Sequence, residues 1–260
     1  MPDLTPDRSP YQMLGGTFQG EWPSDVCRRL RAYADARAAA FYQRIQQDSW
    51  RKVSGGCGAE VHECETLDET GVSKTRCMTV KPYSASAEDT AAIQYLSPEK
   101  LKHYKKTVDR YDVITKVSDH CDLIRTTTKP MLLGIISTRE FVDVVCSYRC
   151  RDGSFVQYAT LASQEVLDQI PIQPRAIRGK NFNTLTMLRQ HGENPSECHS
   201  EQVFQSDAGG SLRNWAVKKG TTQTLIDSVQ MMRDMTAEFP NLHAFKAKAD
   251  LIFQWAADRN

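Results

Sequence analysis

The sequence has almost no net charge. It contains 33 Lys and Arg residues against 32 Asp and Glu residues, which gives a formal net charge of +1 at pH 7. Proteins that bind nucleic acid usually carry a one-sided basic field, so we expect no nucleic-acid partner. The sequence also lacks an apolar run of the roughly 20 residues that a membrane-spanning helix needs. Any membrane contact is therefore expected to be peripheral.

Targeting, cofactor and metal signals are equally scarce. The first residues, Met-Pro-Asp-Leu-Thr-Pro-Asp, do not form a basic-then-apolar signal pattern, which favours a cytoplasmic protein. No phosphate-binding glycine loop or dinucleotide fingerprint is present, so we expect no cofactor. Cys57, His62 and Cys64 fit no common zinc spacing, and the six dispersed histidines stand beside no recognisable nucleophile, so neither a metal nor a catalytic site is expected.

The cysteines do not form a disulfide framework. There are eight, scattered along the chain rather than grouped as in a small disulfide-stapled domain. In a reducing compartment most of them should be ordinary buried thiols.

Hydrophobic periodicity divides the chain into a tail, one domain and an extension. Residues 1–23, rich in Pro, Gly and Asp, predict a flexible tail. Apolar residues at helical spacing predict a helix capped by Ser24 and a long helix over 211–239. An amphipathic pattern over 242–255 favours a further helix packed back on the domain, with a membrane-surface helix as the alternative. The domain itself is therefore placed at 24–239 and the extension at 240–260.

The middle of the chain has the period of strands. Two short helices are expected over 86–106, and the sequence Asp152-Gly153 is a strong hairpin signal. The residue ranges with strand-like patterns are 50–53, 59–65, 76–83, 111–117, 122–128, 141–150, 155–162, 184–189 and 197–205.

This order predicts an α+β fold in which a curved antiparallel sheet is covered by the last long helix. If the helix and the sheet do not pack tightly, they enclose an internal hydrophobic cavity. Trp215, Met232 and Met235 lie on the apolar stripe of that helix, and methionine adapts to ligands of irregular shape.

Four motifs resemble the START lipid-transfer domain, and the resemblance covers roughly residues 24–239. They are Cys-Asp-Leu-Ile-Arg-Thr-Thr-Thr-Lys-Pro over 121–130, Ile-Ser-Thr-Arg-Glu-Phe-Val-Asp over 136–143, Ile-Arg-Gly over 177–179, and Asp207-x-Gly-Gly-x-x-x-x-Trp215. The segment 123–143 is most similar to the small cytosolic subgroup that binds sterols and bile acids. The resemblance implies the helix-grip fold, in which the sheet wraps around the C-terminal helix.

The resemblance also implies a gate. In the family, the loop before the Ser-x-Arg-Asp/Glu-Phe-Val strand and the last helix close a tunnel, which corresponds here to the loop 131–137 and the helix 211–239. An apolar loop on a soluble protein needs an apolar partner, which the lid provides when closed and a membrane when open. The proposed gate residues are Met131, Leu132, Leu133, Ile135 and Ile136.

The implied ligand contacts centre on Arg139, which matches the strand arginine of sterol-binding members and needs an acidic side chain or a ligand oxygen as its partner. His103 and Lys105 take the place of residues that are acidic in the family, and with Arg139 they are compatible with a ligand bearing an acid group. Phe141 and Phe182 fall at aromatic positions of the family's choline cage. The remaining candidate ligand-binding residues are Arg125, Thr127, Trp215, Val229 and Met232.

These observations predict a monomeric, non-enzymatic carrier of one lipid, a sterol or bile acid, with transient peripheral membrane contact. A phospholipid or fatty-acid carrier is the alternative, because the Gly209–Gly220 stretch is similar to the phosphatidylcholine-transfer member of the family. A lipid-modifying enzyme using the same cavity and a scaffold module that binds a protein through residues 242–255 are further alternatives.

Overall fold

The computed structural model describes residues 21–96, 108–118, 120–130, 137–150, 152–210, 214–238 and 253–254. Its helices are α1 (Ser24–Gln47), α2 (Ala87–Leu96), α3 (Gln164–Leu167) and α4 (Asn214–Glu238). The apolar residues of α1 recur every three or four positions and bury one stripe of the helix. Pro23, rather than the expected Ser24, occupies the N-cap, and its carbonyl accepts a hydrogen bond from the amide of Cys27 at 3.1 Å.

The strands form one sheet in which the path β1-β2-β3-β10-β9-β7-β6-β5-β4 is antiparallel throughout. The short strands β8 and β11 pair with β6 in parallel. The bounds are β1 Trp50–Gly56, β2 Ala59–Cys64, β3 Thr75–Thr79, β4 Val108–Ser118, β5 Cys121–Thr128, β6 Arg139–Arg149, β7 Phe155–Leu161, β8 Ile177–Arg178, β9 Lys180–His191, β10 Asn194–Asp207 and β11 Phe253–Gln254.

The outer face of the sheet packs on α1. Alternate side chains of β6 and β7, including Val142, Val144 and Tyr158, join one apolar cluster with Leu30 and Phe41 of the helix. This face is sealed, since those three strand residues are each 0% exposed. The segment that contains α3 covers the same face through Val166 and Ile170.

The inner, concave face packs on α2 and α4. Leu225, Val229 and Met232 of α4 form a second apolar cluster with Val61 of β2 and Leu188 of β9. The packing partners of α4 are β1, β2, β3 and α2, so this part of the helix covers the β1–β3 side of the sheet.

The α+β class and the helix-grip arrangement predicted from the sequence are thus confirmed, as is the hairpin at Asp152-Gly153. Two details differ. Phe253 and Gln254 form a strand rather than part of a helix, because they pair with Tyr148 and Arg149, where β6 extends beyond β5. A disulfide also joins Cys121 to Cys146, which face each other across β5 and β6.

Candidate functional site

The concave side of the middle strands is less tightly covered than their outer side. On β6, Val142 and Val144 face the outer cluster, so Phe141, Asp143 and Val145 must face the concave side. Phe141 and Val145 are half-buried, whereas their outward neighbours are fully buried. The same contrast holds for β7, where Gln157, Ala159 and Leu161 are half-buried. The sheet therefore presents a partly apolar surface that is accessible on its concave side.

Asp143 is the most unusual residue on this surface. It is 7% exposed, and its Oδ1 atom has no hydrogen-bond partner in the part of the chain that the structure describes. Burial raises the pKa of this carboxyl to about 7, and the hydrogen bond from Asn181 only partly opposes that rise. A buried carboxylic acid without a full set of partners costs stability, which makes it a candidate functional group.

Neighbouring polar side chains fix the orientation of this carboxyl. Asn181 donates from Nδ2 to Oδ2 of Asp143 at 3.2 Å, and Thr184 donates from Oγ1 to Oδ1 of Asn181 at 2.8 Å. A β-bulge between β9 and β10 turns Asn181 toward the concave side, where it pairs with Ser206 instead of following the strict alternation of β9. Oδ2 of Asp143 is therefore held in place by a hydrogen bond, whereas Oδ1 has no hydrogen-bond partner among the described residues.

A polar row crosses the concave face farther along the strands. Gln157, Thr186 and Gln202 are paired neighbours on β7, β9 and β10. Thr186 is 5% and Gln202 is 4% exposed. Within the described residues the three side chains make no hydrogen bond to protein. Unlike the two apolar clusters, this part of the face therefore has hydrogen-bond donors and acceptors available to a ligand.

Arg139 lies on the same face as Asp143, and its guanidinium meets main-chain carbonyls rather than an acidic side chain. Nε donates to the carbonyl of Ala208 at 2.8 Å, and the two terminal nitrogens donate to the carbonyls of Ser137 and Gly209. Main-chain carbonyls satisfy a buried guanidinium, so an acidic partner is not required. Three of the five N–H groups are used in these bonds, and among the described residues the other two have no acceptor.

Arg139 thereby ties β6 to the connector that leads into α4. Gly209 has a φ of +68° in this connector, and a Cβ atom added to it would lie 2.9 Å from the carbonyl oxygen of Arg178. Arg178 in turn donates to the fully buried carboxylate of Glu140, with Nε 2.8 Å from Oε1. The Ile-Arg-Gly motif and the Gly-Gly motif identified in the sequence therefore meet at one place beside the start of β6.

Arg125 and Thr127 lie on the opposite face from Asp143. Arg125 pairs with Val142 in the ladder, so its side chain shares the outer face with the α1 cluster. Its Nε donates to Oδ2 of the buried Asp112 at 3.3 Å. Thr127 pairs with Glu140 on that same outer face. Both side chains therefore lie on the outer face of the sheet, and not on the concave face where they were expected to line a cavity.

The other candidate residues fall into two groups. Val229 and Met232 are 0% and 1% exposed within the concave apolar cluster, and Phe182 is half-buried at the bulge of β9. His103, Lys105 and the gate residues Met131, Leu132, Leu133, Ile135 and Ile136 lie outside the described residues, as does the side chain of Trp215.

The far part of α4 is anchored by Arg233. This guanidinium donates to the carbonyls of Cys57, Gly58, Lys81 and Pro82, and it also lies 5.3 Å from the centre of the Tyr83 ring. These bonds and the apolar cluster hold the second half of the helix on the β1–β3 side. The sequence did not predict this role of Arg233, because nothing in the local pattern around it indicates a contact with distant main-chain carbonyls.

Asp143 was also not singled out from the sequence, although a signal was present. It interrupts the apolar run Phe-Val-Asp-Val-Val over 141–145, and a charged residue inside a strand of that type is unusual when both faces are covered. The neighbouring Asn181 carries no such signal, because its orientation depends on the bulge.

Comparison with protein families gives a match to the START domain over residues 46–241. Among curated proteins, mouse StAR-related lipid transfer protein 5 is 26% identical over 135 residues, which is 52% of this chain and 57% of that protein. The human protein of the same name is 26% identical over 139 residues, covering 54% of this chain and 59% of that protein. The chain thus spans a little over half the length of these relatives.

Solved structures show the same fold. The structure of human StAR-related lipid transfer protein 5 superposes with a TM-score of 0.70 at 19% identity, covering 82% of this chain and 99% of that one. Human STARD10 gives a TM-score of 0.64 at 14% identity, covering 80% and 85% of the two chains. None of the helices in the described part of the chain has both the length and the apolar character needed to cross a bilayer.

Proposed function

Because the chain belongs to the START domain family, we propose that it binds one lipid molecule on the concave face of its sheet and carries it between membranes without changing it chemically. The observation that supports this proposal most strongly is the contrast between the two faces of β6 and β7. Their outer side chains are sealed under α1, whereas Phe141, Val145 and Leu161 on the concave side remain half-buried. A bound lipid would complete the burial of these apolar groups.

The energetics are sufficient for a carrier. A lipid of sterol size that hides about 400 Å² of apolar surface gains on the order of 10 kcal/mol before costs. Loss of ligand freedom and ordering of the gate offset much of this gain. Micromolar or tighter binding is therefore a reasonable expectation.

For the ligand we propose a steroid-like lipid, a sterol or a bile acid. The two N–H groups of Arg139 that bond to none of the described residues provide donors for a ligand oxygen at one end of the site. His103 and Lys105 are proposed to add positive charge there, and Phe141, Phe182, Trp215, Val229 and Met232 to contribute apolar surface. We further propose that the protein acts as a cytoplasmic monomer and touches membranes only transiently.

The cysteines on the concave face favour a carrier over an enzyme that uses a thiol nucleophile. Burial raises the pKa of Cys77 and of Cys198 to about 11, so both thiols keep their protons at neutral pH. Cys198 also donates from Sγ to Oγ1 of Thr90 at 3.1 Å. A protonated, buried thiol is a poor nucleophile, so neither cysteine is suited to attack a lipid ester.

We propose that the loop 131–137 and α4 form the gate. Arg233 and the apolar cluster fix the second half of α4. Arg139 and Gly209 fix the connector in front of the helix. We propose that the ligand enters between this loop and the first turns of α4, and that membrane contact favours opening by giving the apolar loop another partner.

Transfer between vesicles tests this function. Donor vesicles containing a fluorescent sterol and a non-exchangeable quencher are mixed with acceptor vesicles, with and without the purified full chain. We expect the chain to accelerate sterol transfer, with the sterol recovered chemically unchanged. Absence of acceleration for a sterol, a bile acid, a fatty acid and a phosphatidylcholine alike would contradict the carrier function.

A further inference from the structure

We propose that Asp143 forms a polar subsite on the concave face that recognises an uncharged hydrogen-bond donor of the ligand, a lipid hydroxyl group, rather than a carboxylate or phosphate. This inference rests on the proposed carrier function and narrows the class of lipid that the site accepts.

The first step is the position of the side chain. Asp143 lies between Val142 and Val144, which both belong to the outer cluster, so its carboxyl must face the concave side. Its ladder neighbours on that side are Ile124 of β5 and Leu161 of β7. The carboxyl is thus the polar centre of an otherwise apolar patch.

The second step is the unused oxygen. Asn181 donates to Oδ2 at 3.2 Å, and Asn181 is itself held by Thr184. Oδ1 has no partner among the described residues, although the carboxyl is more than nine-tenths buried. Buried polar atoms in proteins are almost always paired, so an open acceptor that a neighbouring amide holds in place indicates a group that arrives with the ligand.

The third step is charge. The guanidinium of Arg139 lies four residues before Asp143 on the same face of β6, but it is bound to the carbonyls of Ser137, Ala208 and Gly209. No ion pair to Asp143 occurs in the portion of the chain described above. Above its pKa of about 7 this carboxyl is an anion without a countercharge, which repels a ligand anion and accepts readily from a hydroxyl. Charge therefore selects an alcohol at this point of the concave face.

The experiment uses a matched pair of lipids, 5α-cholestan-3β-ol and its 3-ketone, which differ only at C3, where the alcohol has a hydrogen-bond donor and the ketone has none. Delipidated full-length protein is incubated at pH 8, where the Asp143 carboxyl is ionised, with vesicles holding equal amounts of both lipids. The protein is then repurified, and its bound lipids are extracted and quantified by mass spectrometry. A second pair, 1-hexadecanol and hexadecanoic acid, compares the alcohol with an anion. Asp143→Leu removes the acceptor, and Asp168→Leu on the outer surface is the control for the substitution itself.

We expect the wild-type protein and the Asp168→Leu variant to enrich the alcohol over the ketone by about tenfold, as a hydrogen bond to a charged acceptor predicts. Asp143→Leu should bring this ratio close to one and should raise the share of hexadecanoic acid. Should Asp143→Leu not fold, Asp143→Asn provides the same test, because its amide can donate to a ketone and should lower the alcohol preference.

An unchanged alcohol-to-ketone ratio in a folded Asp143 variant that still carries lipid would overturn the subsite and leave the carrier function standing. If the wild-type protein retains none of the four lipids, and no lipid is found in protein as purified from cells, the carrier function fails and the subsite fails with it.

Discussion

At the scale of a single residue, the raised pKa of Asp143 makes the stability of the folded protein depend on pH. In the folded protein its pKa is about 7, against an ordinary value of 3.8. Between these pH values the folded state binds more protons than the unfolded chain, so stability falls as the pH rises from about 4 to about 7. Above pH 7 the full cost of an ionised buried carboxyl is present.

We expect Asp143→Asn to remove this pH dependence. The free energy of unfolding of the variant relative to wild type should rise between pH 4 and pH 8 by up to about 4 kcal/mol, the energy of a shift of that size. Urea denaturation at a series of pH values measures the difference. A difference that stays constant over this range would show that Asp143 is not buried as described.

We expect Arg139 to stabilise the connector before α4 in addition to its proposed contact with the ligand. Arg139→Ala removes the donors to two carbonyls of the connector, Ala208 and Gly209, and to the carbonyl of Ser137, which should lower the free energy of unfolding by about 1–3 kcal/mol. Arg139→Lys is the matched variant, because it keeps the charge but not the forked geometry, and it should recover only part of the loss. Equal stability of wild type and Arg139→Ala in urea denaturation would contradict the assigned contacts.

At the scale of elements, the connector between β10 and α4 depends on a close approach at Gly209. Gly209 and Gly71 have the same φ of +68°, but only Gly209 would bring a Cβ atom to 2.9 Å from another backbone atom. We expect both alanine variants to lose about 1 kcal/mol from the unfavourable φ. Gly209→Ala should lose clearly more, and equal thermal stability of the two variants would rule out the close approach.

The proposed role of the loop 131–137 as a gate rests on the apolar residues in its sequence. Leu133→Asp should slow sterol transfer between vesicles, because a charged side chain disfavours both the closed lid and the membrane-bound state. Leu67→Asp is the control, since Leu67 is 63% exposed outside the proposed gate. Equal transfer rates for the two variants would remove Leu133 from the gate.

Secondary structure was largely predictable from local patterns. The period-2 runs and the Asp152-Gly153 turn are local signals, and they gave the strands of the meander within a few residues. The apolar residues of the extension 242–255 have helical spacing, which predicts a helix. At Phe253 and Gln254 pairing with the free end of β6 takes precedence over that pattern.

At the scale of the whole molecule, the sequence could not assign side chains to the two faces of the sheet. Arg125 and Asp143 both interrupt apolar strands, yet the register places Arg125 on the outer face and Asp143 on the concave face. The bulge that brings Asn181 to Asp143 is likewise a property of pairing between distant strands. The fold was recognisable from four short motifs, whereas the polar part of the site required the register.

The central claim is that the concave face holds one lipid. Native mass spectrometry of the freshly purified full chain, followed by extraction and identification of what is bound, tests it most directly. We expect one additional species per protein, with the mass of a hydroxylated, steroid-like lipid. A chain that carries no lipid, and that takes up none from vesicles, would contradict the account.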